Sequence, residues 1–270
     1  MAIEKIMLVI DPTQEQQAGF KRALGSARLT GAALHLYLCV DDSDDGAEAG
    51  SEQLVARFQL LLDELSQSAR QQDVIASSEI EWAEDWPTAV VRAAARCNAE
   101  LVVKSSFDHS DLQREMRTTS DWELLRHSPC PVLLIKNYSD WQHRRILAAI
   151  DVNSKDGAHT QLNQQVVSFA GSFAEAHGCR LHIVNAYRDS QHMPSLQQLA
   201  LLSGVPLSQV HVREGIPHEV ISGIVEELGA DLVVIGTVGR SGIRGKLFGN
   251  TSEKLLDQTH ADLLVVHSMP

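Results

Sequence analysis

The residues best suited to chemistry lie in a glycine-rich, basic stretch near the end of the chain. Five of the 17 glycines fall between Gly236 and Gly249, with three basic residues and no acidic one, in a chain of formal net charge −12. Glycines let backbone N–H groups approach a ligand closely, and successive N–H groups form an anion-binding nest. A helix starting near Asn250 would add unpaired N–H groups and the positive end of its dipole. The stretch predicts phosphate binding, with an ordinary surface loop as the alternative.

The glycine spacing differs from two familiar phosphate motifs. A Walker A loop needs Ser or Thr after Gly245-Lys246, where this chain has Leu247, and G-x-G-x-x-G does not occur. The spacing found is G-x2-G-x9-G, formed by Gly236, Gly239 and Gly249.

Other groups that could catalyse or bind metal are scattered along the chain. The 12 histidines form no H-E-x-x-H pattern, and the four cysteines form no C-x-x-C pair. His35 and His182 occupy matching strand positions, which favours a structural role, with a zinc site as the weaker alternative. The acidic segment 41–52 lacks the ligand order of an EF-hand and is interpreted as a solvated loop. No hydrolase triad or G-x-S-x-G elbow can be assembled, so we expect no catalytic residues and no metal site.

Charge and hydropathy narrow the class of partner. Residues 1–140 hold 23 acidic and 13 basic side chains, and residues 141–270 hold 12 and 10. Nucleic acid is therefore a poor partner, because binding to its backbone needs many basic contacts. No apolar stretch approaches the roughly 20 residues that span a bilayer, and the first apolar run stops at Asp11, as a buried strand would. We expect a cytoplasmic protein with no membrane partner.

The chain contains the same pattern twice. Residues 99–136 align with residues 230–267 without a gap at an offset of 131, and "KIMLVIDP" near the start resembles "RILAAIDV" at 145–152. We therefore predict two domains, 1–138 and 143–270. Within each, short apolar runs rich in Val, Ile and Leu alternate with segments of helical periodicity, and Gly178 and Gly229 are predicted to end helices.

Strands that are apolar on both faces and separated by helices predict a doubly wound, five-stranded parallel sheet in each domain. In such sheets a ligand binds outside the carboxyl ends of the strands, where the strand order reverses. In the second domain this position lies between the loop beginning at Asp151 and the glycine-rich loop.

The repeat, the strand pattern, the carboxy-terminal "LLVVH" and G-x2-G-x9-G together resemble the universal stress protein family, and in particular its tandem, UspE-like group. The resemblance covers the whole chain. It implies the adenine-nucleotide alpha-hydrolase-like α/β fold, with two tandem sheets packed as a pseudo-dimer; a homodimer of tandem chains is left open. It also implies a role in stress response.

The resemblance further implies a site for ATP or another adenine nucleotide, with or without Mg, in the second domain. Asp151 would contact the ribose, Ala186 would line the adenine pocket, and the motif glycines with the residues after them would hold the phosphates. Asn250 stands where the family motif has Ser or Thr, so it lacks a hydroxyl for the phosphate. The predicted nucleotide-binding residues are Asp151, Val152, Ala186, Gly236, Gly239, Arg240, Gly249, Asn250 and Thr251.

The first domain departs from the motif. Ser105, Asp108 and Thr118 replace the three glycines, and the segment between Ser105 and Thr118 has no glycine. We expect no nucleotide there, and we expect Asp11 to cap the following helix. The chain is thus predicted to be a ligand-sensing stress protein with unidentified protein partners. The alternatives are a protein-interaction or apolar-ligand module without nucleotide and, more remotely, a slow ATP hydrolase.

Overall fold

The computed structural model describes residues 3–14, 17–40, 52–106, 121–136, 140–154, 157–237 and 250–267, with only the backbone at 250, 253 and 257. The chain divides into two compact units, and the division falls between Ile135 and Lys136. They are called the first half and the second half below. The pseudo-dimer stays a prediction.

The first half alternates strands and helices. Its elements are β1 (Lys5–Ile10), α1 (Ala18–Thr30), β2 (Ala33–Val40), α2 (Glu52–Arg70), β3 (Ala76–Trp82), α3 (Trp86–Arg96), β4 (Leu101–Ser105), α4 (described over 121–127) and β5 (Val132–Ile135). The strands pair in the order β3-β2-β1-β4-β5, and every pair is parallel.

The second half repeats this plan. Its elements are β6 (Arg145–Ala149), α5 (Gly157–His177), β7 (Arg180–Tyr187), α6 (Leu196–Ser203), β8 (Val210–Glu214), α7 (Pro217–Leu228), β9 (Leu232–Thr237), α8 (Asn250–Gln258) and β10 (Asp262–His267), with 3-10 turns at Ser190–His192 and Leu207–Gln209. The parallel order is β8-β7-β6-β9-β10. The predicted doubly wound α/β fold with five parallel strands in each half is confirmed.

The central strands form the core of each half because their Val, Ile and Leu side chains are covered on both faces. Leu101 to Val103 in β4 and Leu232 to Val234 in β9 are completely buried. Gly178 and Gly229 follow α5 and α7 with φ of 61° and 58°, as predicted for residues that end a helix in the left-handed conformation. In the described ranges no helix is long and apolar enough to cross a membrane.

The buried Asp262 and the half-buried Asp231 accept hydrogen bonds from the segment at the start of the second half. Asp262, which is completely buried, accepts hydrogen bonds from the Lys136 N–H (2.9 Å) and the Trp141 Nε1–H (2.8 Å). Asp231 accepts N–H bonds from Gln142 (2.8 Å) and from Arg145 (3.1 Å). The segment before β6 is therefore hydrogen-bonded to the amino ends of β9 and β10.

Candidate functional site

A cleft of about 790 Å³ opens at the carboxyl ends of β6, β7 and β9 in the second half. It lies where the strand order reverses, between β6 and β9, which is the usual ligand position in a doubly wound sheet. Its size is in the range of small-molecule sites. Four of the predicted site residues line it together: Asp151, Ala186, Gly236 and Thr251.

The remaining predicted residues are placed differently. Val152 follows Asp151 and is half-buried, but it is not among the residues that line the cleft. Asn250 is the first residue of α8, and only its backbone is described. Gly239, Arg240 and Gly249 lie outside the described residues. Their roles stay predictions.

One side of the cleft is apolar. Val184 and Ile235 line it from the strands, Ile150 from the position after β6, and Ile221 from α7. The half-buried Ala186 projects only a methyl group from β7, which leaves space beside the strand. A flat apolar group such as a purine base is the kind of ligand that this wall accommodates.

The loop after β7 supplies charged side chains at the mouth. Asp189 and His192 are both exposed, and Asp189 Oδ1 lies 2.7 Å from His192 Nδ1. This hydrogen bond lowers the pKa of Asp189. Arg188 and His159 also line the cleft. The mouth thus presents both cationic and anionic groups to a ligand.

Asp151 is held at the edge of the cleft by a neighbouring amide side chain. Its backbone N–H donates to Asn163 Oδ1 (3.1 Å), and Asn163 Nδ2 donates to the Asp151 carbonyl (2.7 Å). The Asp151 carboxylate remains exposed, and its Oδ1 accepts the Asn153 N–H at 3.0 Å.

Gly236 permits the close approach of β9 to α5. A Cβ at this position would lie 2.6, 2.7 and 2.9 Å from the three outer carbons of Leu162, a buried residue that also lines the cleft. Carbon atoms in contact are normally about 3.5–4.0 Å apart, so no side chain fits there without movement. Packing therefore requires this glycine independently of any phosphate.

In the first half, β4 and α1 also lie close together, but here the glycine is on the helix. Ser105, which aligns with Gly236, faces Gly19 on α1, whose N–H donates to Ser105 Oγ at 3.2 Å. A Cβ at Gly19 would lie 3.1 Å from that oxygen. The small residue is on the strand in the second half and on the helix in the first.

An internal ion pair occupies the first-half positions that correspond to the cleft. At the offset of 131, Lys104 and Asp121 align with Ile235 and Ser252, which line the cleft. Lys104 Nζ lies 2.6 Å from Oδ1 of Asp121, which is 3% exposed, and 5.2 Å from the centre of the Trp86 ring. The Ser106 hydroxyl also donates to Asp121. Charges that could meet a ligand are thus satisfied within the protein.

The expected helix-capping role of Asp11 is wrong. The residue before α1 is Gln17, which makes no side-chain cap, whereas Asp11 Oδ1 accepts the N–H (2.9 Å) and the hydroxyl (2.6 Å) of Thr13. The physical reason is distance along the chain, because α1 begins seven residues after Asp11 and the nearer donors of Thr13 take its carboxylate.

The matching histidines are packed within the two sheets. His35 Nδ1 lies 2.9 Å from Ser77 Oγ, and the ring pairs with Glu79. His182 Nδ1 lies 3.0 Å from His211 Nε2, and burial, followed by the charges of His211 and two nearby arginines, lowers the pKa of His182 to about 4. Across the described parts of both halves, no group of three or more His, Cys, Asp or Glu is arranged to hold a metal ion.

Comparison with known proteins places this geometry in one family. The model described as "Universal stress protein family" matches residues 2–136 and 194–267, so the second match includes the end of the cleft at β9 and α8 but begins after Asp151 and Ala186. The chain is 30% identical to the universal stress protein E homolog of Haemophilus influenzae, over 98% of this chain and 97% of that protein.

A solved structure that covers nearly the whole chain agrees with the fold. The chain resembles a putative universal stress protein from Pseudomonas aeruginosa UCBPP-PA14 with 30% identity and a TM-score of 0.85, covering 98% of this chain and 94% of that one. A universal stress protein solved in complex with cAMP covers 50% of this chain and 98% of its own, with 16% identity and a TM-score of 0.40.

Proposed function

Because the chain belongs to the universal stress protein family, we propose that its second half binds an adenine nucleotide, with ATP as the first candidate, in the cleft beside Asp151. The observation that carries the proposal is the meeting of an exposed carboxylate, an apolar wall and the start of a helix around one cleft at the reversal of strand order. These groups complement the ribose, the base and the phosphates of one molecule.

Each part of the nucleotide has a partner of suitable chemistry. The Asp151 carboxylate accepts hydrogen bonds from ribose hydroxyls, and the small side chain of Ala186 leaves room for adenine against the strand residues. The phosphates lie toward Gly236 and toward Thr251 near the start of α8, the two residues between which the predicted glycine loop runs in the sequence. An anion at a helix start gains about 0.3–1 kcal/mol from the dipole and up to ~2 kcal/mol when partly buried.

The first half does not share this function in the proposal. The carboxylate of Asp121 already occupies the cationic partner, Lys104, at the positions that correspond to the cleft. The Asp11 carboxylate accepts the hydroxyl of Thr13 as well as its N–H, whereas the Asp151 carboxylate accepts the N–H of Asn153. We therefore propose one nucleotide per chain, in a cytoplasmic protein that senses the nucleotide and passes the signal to a protein partner.

Isothermal titration of the full chain with ATP, ADP and AMP tests this function. We expect no more than one site, lost in Gly239→Asp, where a carboxylate would repel phosphate, and unchanged in the matched first-half variant Asp11→Ala. No binding of any of the three nucleotides would refute the proposal, as would two equivalent sites.

A protein-interaction role remains the second candidate, supported by one observation. Large apolar side chains are exposed around α6 in the second half: Met193 (54%), Leu201 (86%) and Leu207 (52%). If the titration shows no nucleotide binding, crosslinking to a protein partner through a photoreactive residue at position 201 would test this surface.

A further inference from the structure

The side chain of Asn163 forms a two-point contact with the backbone of Asp151. The carboxamide accepts from the Asp151 N–H at 3.1 Å and donates to the Asp151 carbonyl at 2.7 Å. Both polar groups of one residue's backbone are thus fixed by one planar side chain. The direction of the Asp151 Cα–Cβ bond follows from this contact, so Asn163, together with the Asn153 N–H on Oδ1, sets where the carboxylate points.

Leu162, which precedes Asn163 on α5, contacts the opposite side of the cleft. Leu162 packs against Gly236 at the end of β9, whereas Asn163 holds the loop after β6. Two successive residues of one helix therefore set the separation between the proposed ribose contact and the proposed phosphate contact. A rigid helix is well suited to this, because binding groups held in place before the ligand arrives lose less entropy on binding.

The first half holds the equivalent loop in another way. Gln17 Nε2 donates to the Asp11 carbonyl (2.8 Å) and also to the Gln14 carbonyl (2.8 Å). The Asp11 carboxylate accepts hydrogen bonds from Thr13. The paired contact to N–H and carbonyl in the second half thus coincides with an exposed carboxylate over a cleft.

We propose that Asn163 is a positioning residue that orients the Asp151 carboxylate for the ribose hydroxyls of the bound nucleotide. This inference rests on the proposed function. It assigns discrimination between ribose and sugars without hydroxyl groups to a residue that lines the cleft but acts through the backbone of Asp151.

The test compares ATP with 2′,3′-dideoxy-ATP, which lacks both hydroxyls that Asp151 would contact. Because a less well oriented Asp151 carboxylate would lose about one hydrogen bond to the ribose, Asn163→Ala should weaken ATP binding by about three- to tenfold. It should leave dideoxy-ATP binding unchanged. In an Asp151→Ala background the same substitution should have no further effect on ATP. Gln164→Ala, an exposed neighbour on the same helix, is the matched control and should behave like the wild type.

A second variant covers the case in which the alanine protein fails to fold. Asn163→Asp keeps the shape and the acceptor but loses the donor to the Asp151 carbonyl, and it should also reduce the preference for ATP over dideoxy-ATP. Equal weakening of both nucleotides would indicate a merely structural role and overturn the inference. Unchanged ATP binding in Asn163→Ala would overturn the inference alone, whereas a wild-type protein that binds no nucleotide would overturn the proposed function and this inference with it.

Discussion

Replacing Gly236 by alanine would test whether packing or ligand demands this glycine. The new methyl carbon would lie 2.6 to 2.9 Å from three carbons of Leu162, so Leu162 must move by about 1 Å to restore normal contact. Leu162 is 5% exposed, and insertion of one methyl group into a packed site typically costs about 1–3 kcal/mol. We expect Gly236→Ala to lower the free energy of unfolding by this amount.

The same displacement should narrow the cleft, because Leu162 lines it. Gly236→Ala should therefore weaken ATP binding as well. Adding Leu162→Ala should relieve the overlap, so that the double variant is more stable than the sum of the two single effects, although Leu162→Ala alone costs about 2–5 kcal/mol. Urea denaturation followed by circular dichroism measures the stabilities, and calorimetry measures the binding.

The second half offers a matched control. Gly223 lies inside α7, and an added Cβ there would have no atom within 4 Å. Gly223→Ala should leave the protein as stable as the wild type, or up to about 1 kcal/mol more stable, since alanine favours helix. If Gly236→Ala were as stable as Gly223→Ala, or if the effects of Gly236→Ala and Leu162→Ala simply added, the argument from close approach would fail.

Three further predictions concern the ion pair, the histidine pair and the departure from the glycine motif. Asp121→Ala should destabilise the first half by about 3 kcal/mol, because Lys104, whose side chain is 13% exposed, loses its carboxylate, whereas Lys104→Ile with Asp121→Ser, the residue types of the second half, should recover most of this. Urea denaturation followed by tryptophan fluorescence measures it, since three of the four tryptophans lie in the first half. Lowering the pH from 7 to 5 should cost the wild type about 2 kcal/mol more than His182→Gln, because the unfolded chain takes up a proton near pH 6.5 and the folded one only near pH 4. The stability due to neutral His182 is thus present above pH 6.5 and lost as the pH falls toward 4, which urea titrations at each pH would follow. Asn250→Ser should strengthen ATP binding about tenfold or more by adding a hydroxyl to a charged phosphate, as side-by-side calorimetry would show.

Each of these has an outcome that contradicts it. If the double variant Lys104→Ile with Asp121→Ser were no more stable than Asp121→Ala, an unpaired Lys104 would not be the cause of the lost stability. Parallel pH profiles of the wild type and His182→Gln would exclude the proposed proton uptake. Equal ATP affinity of the wild type and Asn250→Ser would leave Asn250 as a helix-start residue without a phosphate contact.

The sequence predicts the fold well because the signals are local. Runs such as Leu101 to Val103 are apolar on both faces, and such runs become the central parallel strands. Helix ends at Gly178 and Gly229 are also predictable, because a left-handed residue after a helix is a property of the glycine itself. The tandem offset then predicts the second sheet from the first.

The contacts around the cleft depend on residues far apart in the chain. The Asn163 contact with Asp151 could not be predicted, because an asparagine inside a helical pattern looks like any exposed polar residue. The failed prediction for Asp11 has a related origin, since helix α1 begins at Ala18, seven residues after Asp11. One signal was available, however. Aligning the halves pairs Lys104 with Ile235 and Asp121 with Ser252, so the first half has two opposite charges where the second half has none.

The carboxylates Asp231 and Asp262 have a practical consequence for dividing the chain. A fragment beginning at His143 would contain the whole second sheet but would lack the Lys136 N–H and the Trp141 indole, both donors to the completely buried Asp262. A buried carboxylate that loses two of its donors is strongly destabilised, so such a fragment should be insoluble or poorly folded. A cut made before Lys136 keeps both donors. Lys136 and Trp141, which lie between the two repeats in the sequence, are therefore part of the structure of the second one.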